Sequence, residues 1–227
     1  MDYQQLKEGL ENYYVLYQKG LKKQANQYIE HLAKEIQALD HTEKEMVLYR
    51  FAHDVCDENK YQYLEARGNG SIPFALSQCL REWLYQRCLE DKMPELRWFY
   101  QLYSQDKTGY QYAFEFLEKA YKHQQCDLKT VNLLFAAHIA TLAWGAHHFP
   151  EGCIITSETR EDAFRNCKKI LTEKHVDNRL QAQLDYYTTL YSCYDNYVND
   201  GRTKDFTRYC DEADLKFYES KAYYYEK

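Results

Sequence analysis

Only three prolines and eight glycines interrupt the 227 residues, and the long runs between them carry apolar side chains at a helical spacing. So few chain breakers exclude collagen-like, low-complexity and turn-rich all-β designs. Apolar residues, with Tyr and Cys included, make up 45% of the chain, which is enough to bury a sizeable core. The charged residues are mixed in sign, which argues against wholesale disorder. The expectation is an all-α fold in a single domain over residues 1–227.

The periodicity predicts helices over residues 2–18, 22–39, 42–56, 73–90, 94–104, 110–123, 128–147, 160–173, 178–198 and 204–225. Thr42 to Glu45 has the spacing of a capping box. Asp127, Asp177 and Thr203 stand where N-caps belong. Pro73 and Pro94 suit the first turns of their helices. Gly68-Asn69-Gly70-Ser71 is the clearest loop. A second, ordered loop covers Phe149 to Thr159, with a short β-like Cys153-Ile154-Ile155 inside it.

Five windows resemble one another: QANQYIEHLAKEI (24–36), FALSQCLREWLYQ (74–86), YAFEFLEKAYKHQ (112–124), DAFRNCKKILTEK (162–174) and DFTRYCDEADLKF (205–217). Their second column reads Ala25, Ala75, Ala113, Ala163 and Phe206. Four residues on stand Ile29, Cys79, Leu117, Cys167 and Cys210, and seven on stand Leu32, Glu82, Ala120, Ile170 and Ala213, with Trp83 beside Glu82. Positions i, i+4 and i+7 share one helix face, and a small first residue admits a close neighbour. The windows predict that the four alanines are buried and that Cys79, Cys167 and Cys210 pack as small hydrophobes.

Such recurrence resembles the tetratricopeptide-like α-solenoids, in shape and not in strict motif: no W-x2-L-G-x2-Y occurs and the intervals are long and uneven. The resemblance implies antiparallel helical hairpins stacked as a right-handed superhelix, whose concave face binds a protein or peptide. The helical sensor domains of peptide-responsive regulators are similar in outline, yet the first 60 residues contain no helix-turn-helix reader.

The formal charge is −6, and the most basic stretches, Lys19 to Lys23 and Arg165 to Lys169, suit solvated helix faces. Nucleic acid is therefore not an expected partner. The opening MDYQQLKEGLENYY lacks an apolar signal core, and no C-x-x-C occurs among the eight cysteines. Reduced thiols and a cytoplasmic location are expected. Val131 to Ala146, the most apolar stretch, is broken by Asn132, His138 and Thr141 and suits a buried helix better than a membrane span.

Three constellations offer chemistry. The all-α HD phosphohydrolases carry an adjacent His-Asp pair on a helix, an earlier His and a later Asp, which together hold metal. Residues 30–58 look similar, with His53-Asp54 as the pair, His31 as the earlier ligand and Asp127 as the distant last one, although the following Gly of that family is missing. This alternative implies a metal-dependent phosphohydrolase. His147, His148 and Cys153 are zinc-compatible types without a fourth ligand. Phosphate loops and a nucleophile elbow are absent from the sequence, so no cofactor is expected. Tyrosine occurs 24 times. Tyr186, Tyr187, Tyr191, Tyr194 and Tyr197 form a stripe that suits a core with hydroxyls reaching outward. Tyr223, Tyr224 and Tyr225 cannot share one helix face, which makes them candidates for a homodimer or partner contact. The leading expectation is a non-catalytic module that binds protein or peptide.

Overall fold

The computed structural model describes residues 1–60, 72–105 and 110–217, with the side chains of 110 and 111 excepted. Among the described residues there are ten helices and no strand: α1 (Tyr3–Gln18), α2 (Lys22–Ala38), α3 (His41–Cys56), α4 (Phe74–Leu89), α5 (Glu95–Tyr103), α6 (Tyr110–Lys122), α7 (Leu128–Gly145), α8 (Ser157–Glu173), α9 (Asn178–Asn199) and α10 (Phe206–Glu212). The fold is all-α, and among the described residues no helix is long and apolar enough to cross a membrane. The chain divides into two compact units, Met1–Gln125 and Cys126–Lys227.

Carboxylates set most helix starts. Asp127 and Asp177 cap α7 and α9 as expected, accepting the backbone N–H groups of Thr130 and Arg179. Two caps differ from the sequence reading, and α8 starts at Ser157, capped by Thr156, not at 160. Asp40, not Thr42, caps α3 by accepting the Glu43 N–H at 2.8 Å. Asp205, not Thr203, caps α10 through the Thr207 N–H at 3.0 Å. In both cases an ionised carboxylate lies two residues from a threonine hydroxyl, and it is the better acceptor for an N–H at the positive end of a helix. The helix expected over 204–225 stops at Glu212. Asp214 turns to a positive φ of 52° and the Leu215 N–H returns to the Cys210 carbonyl at 2.8 Å. That turn brings Phe217 edge-on against Phe206, with ring centroids 4.9 Å apart.

In the first unit, Gly9 of α1 faces Leu32 of α2 so closely that a Cβ there would lie 2.9 Å from the leucine methyls. Tyr103 near the end of α5 donates to the Ser77 carbonyl near the start of α4. At the other ends Cys88 of α4 donates to the Glu95 carbonyl of α5. The two helices therefore run in opposite directions. Phe99 of α5 and Phe116 of α6 meet edge-to-face at 5.1 Å. The core joins Leu6, Leu10, Ile36, Leu48, Phe51, Leu80, Trp98 and Ala120 in one cluster.

In the second unit, α7 buries Val131, Leu134, Phe135, His138, Ile139 and Leu142. Asn132, near the start of α7, accepts the N–H of Asp177 at the start of α9. Leu142, near the end of α7, accepts the Tyr191 hydroxyl halfway along α9 at 2.9 Å. These two helices run the same way, so α8 between them returns against both. The tyrosine stripe of α9 is core in part, with Tyr186, Tyr187 and Tyr197 half-buried. Tyr191 and Tyr194 are buried, and Tyr194 stacks on Phe149 at 4.0 Å. Burial pushes the Tyr191 hydroxyl to a high pKa, so it serves as a donor.

Three of the four alanines, Ala25, Ala113 and Ala163, are buried as expected. Ala75 is the exception and lies half-buried. Helix α4 buries Leu76, Leu80, Leu84 and Cys88, a row one residue along from the expected one. It packs on α2, α3 and α5 at once, and that crowding selects the bulkier leucine row. All eight cysteines are free, with Cys79, Cys167 and Cys210 buried in the predicted column.

Candidate peptide-binding groove

The rotation of α4 that buries the leucine row turns Gln78, Glu82 and Gln86 outward at i, i+4 and i+8. They border two adjoining depressions. One, of about 690 Å³, lies between α4, Phe99 of α5 and Tyr112 of α6. The other, of about 250 Å³, lies between α4, Gln37 of α2 and the start of α3. Glu82 and Gln86 line both and stand between them along the outer face of α4. The lining comes from five helices, α2 to α6, and α4 contributes most of it.

The groove has three kinds of surface. Gln78 and Gln86 make no side-chain hydrogen bond among the described residues. A carboxamide offers one acceptor and two donors, as a peptide group offers one of each. Eight residues of helix separate them, about 12 Å, which is the span of about three to four residues of extended chain. Aromatic rings make the second surface: Tyr85 contacts Phe99, Tyr112 and Phe116 at 6.2, 6.3 and 5.8 Å. Charge is the third, from Lys44, Glu45, Arg81, Glu82, Arg87 and Glu90.

Arg87 fixes the end of the groove. Its three nitrogens reach three carboxylates on separate segments: Glu45 of α3 at 3.1 Å, Glu90 at 2.8 Å and Glu95 of α5 at 3.3 Å. Glu95 is only 2% exposed, and the guanidinium supplies the counter-charge that a buried carboxylate needs. Behind it lies a second buried pair. Arg97, 2% exposed, donates to both oxygens of Asp57 at 2.8 and 3.2 Å, and the Trp98 indole N–H donates to the same carboxylate at 2.9 Å. Tyr49 packs edge-on against Trp98. Burial, with the charges of Glu95 and Asp57, raises its hydroxyl pKa.

His53 and Asp54 belong to this polar region as structural groups. Asp54 accepts from the Tyr3 hydroxyl at 2.6 Å and from Lys60 at 3.1 Å, with His53 Nδ1 at 3.5 Å. Burial would raise its carboxyl, but these hydrogen bonds and the lysine charge prevail and hold it below the usual carboxylate range. His31 lies on the exposed side of α2 against Glu35 at 3.3 Å. Asp127 caps α7 in the second unit. Among the described residues no three His, Cys, Asp or Glu side chains are grouped as metal ligands. His147 stacks on Trp144, and Cys153 lies near Tyr191. Tyr223, Tyr224 and Tyr225 lie outside the described residues.

The groove residues carry no recognisable motif. The one sequence signal was Glu82, a charged residue in a column otherwise filled by Leu, Ile and Ala. No protein-family model, curated protein or solved structure matches the chain.

Proposed function

We propose that this chain is a non-catalytic helical-repeat module of the tetratricopeptide-like class, a right-handed stack of antiparallel hairpins that binds an extended protein or peptide segment in the cytoplasm. The observation that carries the reading is the row Gln78, Glu82 and Gln86. Two carboxamides without side-chain partners among the described residues border depressions lined by α2 to α6. A groove that hydrogen-bonds the main chain and offers aromatic rings to alternate side chains takes a peptide without needing chemistry. The repeat class draws support from the packing: the pairs α1·α2, α2·α4, α1·α3, α3·α5, α7·α8 and α7·α9 join helices one or two places apart.

Selection from a display library of random peptides on the full chain tests this. The expected binders lose about tenfold or more in affinity with Gln78→Ala/Gln86→Ala, at unchanged helix content. Binders that are indifferent to that double variant and to Tyr85→Ala, or the absence of any binder, overturn the reading.

A further inference from the structure

In the second unit the thiols of Cys193 on α9 and Cys210 on α10 lie together. They are 3% and 1% exposed. Cys193 Sγ donates to the Tyr209 carbonyl at 3.3 Å, the peptide group that leads into Cys210. The two thiols are also near enough to influence each other's ionisation. The buried thiols of the first unit, Cys79 and Cys88, also reach backbone carbonyls, of Ala33 and Glu95, but neither of those carbonyls adjoins another cysteine. Two buried thiols set side by side on packed helices meet the first requirement of a disulfide, which is proximity.

Helix α10 controls access to the pair. It is seven residues long and is held to α9 by Phe206 against Tyr197 and by the Tyr209 hydroxyl on Asp200 at 2.9 Å. So short an element opens locally at a small fraction of the cost of global unfolding, and its opening uncovers both sulfurs together.

We propose that Cys193 and Cys210 form a dithiol modification site, which a small disulfide such as oxidised glutathione converts into an intramolecular disulfide that locks α10 onto α9. One protein thiolate attacks a sulfur of the small disulfide, breaks its S–S bond and releases one glutathione thiolate, which takes up a proton. The second protein thiolate attacks the mixed disulfide, forms the Cys193–Cys210 bond and releases the second glutathione. Two thiol hydrogens leave the protein and two glutathione thiols are formed. Burial pushes the Cys210 thiol up to about 12 and raises that of Cys193, so the closed helix is inert and the reaction runs through the open one.

The test exposes the native full chain to glutathione redox buffers at about pH 8, where free thiols begin to ionise. It is followed by acid quenching, alkylation in denaturant and tryptic mass mapping. The sequence places Cys193 in peptide Leu180–Arg202 and Cys210 in Tyr209–Lys216. The expected product joins these two peptides, about 2 Da below their summed mass, and dithiothreitol separates them. Amide exchange within α10 slows by about tenfold or more in the oxidised chain. With Cys210→Ser, a glutathione adduct persists on Cys193. Separate alkylated peptides, a link to any other cysteine, a link formed only in denaturant, or unchanged exchange in α10 would each overturn the proposal.

Discussion

His138 shows how one residue couples a helix face to solution conditions. The spacing of α7 places it between Leu134 and Leu142 on the buried face, where it is 8% exposed. Burial lowers its pKa from 6.5 to about 4. Between those values the unfolded chain binds a proton that the folded chain does not, so stability falls as pH falls from 6.5 towards 4. The full loss from this group is about 3 kcal/mol. Asp54 acts in a lower window. Its carboxyl is held below 3.8, so its contribution is present above that value and is lost as pH falls through the folded pKa. Urea unfolding across pH should show this slope in the wild type and a flatter one between 6.5 and 4 in His138→Met. An equal slope in both proteins would contradict the assignment.

At the scale of elements, α4 separates a repeat pattern from its realisation. Ala25, Ala113 and Ala163 each let a neighbouring helix approach, and all three are buried. Replacement of any one by Phe should overpack the contact and cost about 1–3 kcal/mol. Ala75 occupies the same column but is half-buried, because the row Leu76, Leu80, Leu84 and Cys88 faces the core instead. Ala75→Phe should cost less than about 1 kcal/mol. Thermal or urea denaturation of the four variants checks the contrast, and a uniform loss across all four would refute the altered rotation of α4. The same rotation presents Gln78, Glu82 and Gln86 to the groove, so one measurement bears on both packing and site.

For the whole molecule, the division at Gln125 matters most. The hydrophobic cluster of the first unit is drawn entirely from Leu6 to Ala120 and its buried ion pairs close within it: Arg87 with Glu95, and Arg97 with Asp57. A unit of this size can bury enough surface to fold alone. A fragment of residues 1–125 should therefore keep its helix content and unfold cooperatively. Circular dichroism with a urea titration tests this, and a non-cooperative fragment would mean that its stability depends on residues beyond 125. The long-range salt bridges are also why the candidate site was hard to foresee. Asp57 and Arg97 stand 40 residues apart in the chain, and the groove takes its lining from five helices, α2 to α6.

What the sequence determined by itself was local. A period of 3.6 residues with few breakers is sufficient for helices, since each closes its own backbone hydrogen bonds. Carboxylates such as Asp127 and Asp177 mark helix starts because the N–H groups they accept lie within two or three residues. Only the tertiary structure decided which face of α4 turned inward. Two apolar rows compete there, and three neighbouring helices, not the sequence of α4, select between them. It also decided that His53-Asp54 is tied to Tyr3 and Lys60, which of the α9 tyrosines are buried, and that Cys193 reaches the Tyr209 carbonyl beside Cys210. Each of these depends on groups brought together from separate elements, and a linear pattern carries no information about that distance until the chain has packed.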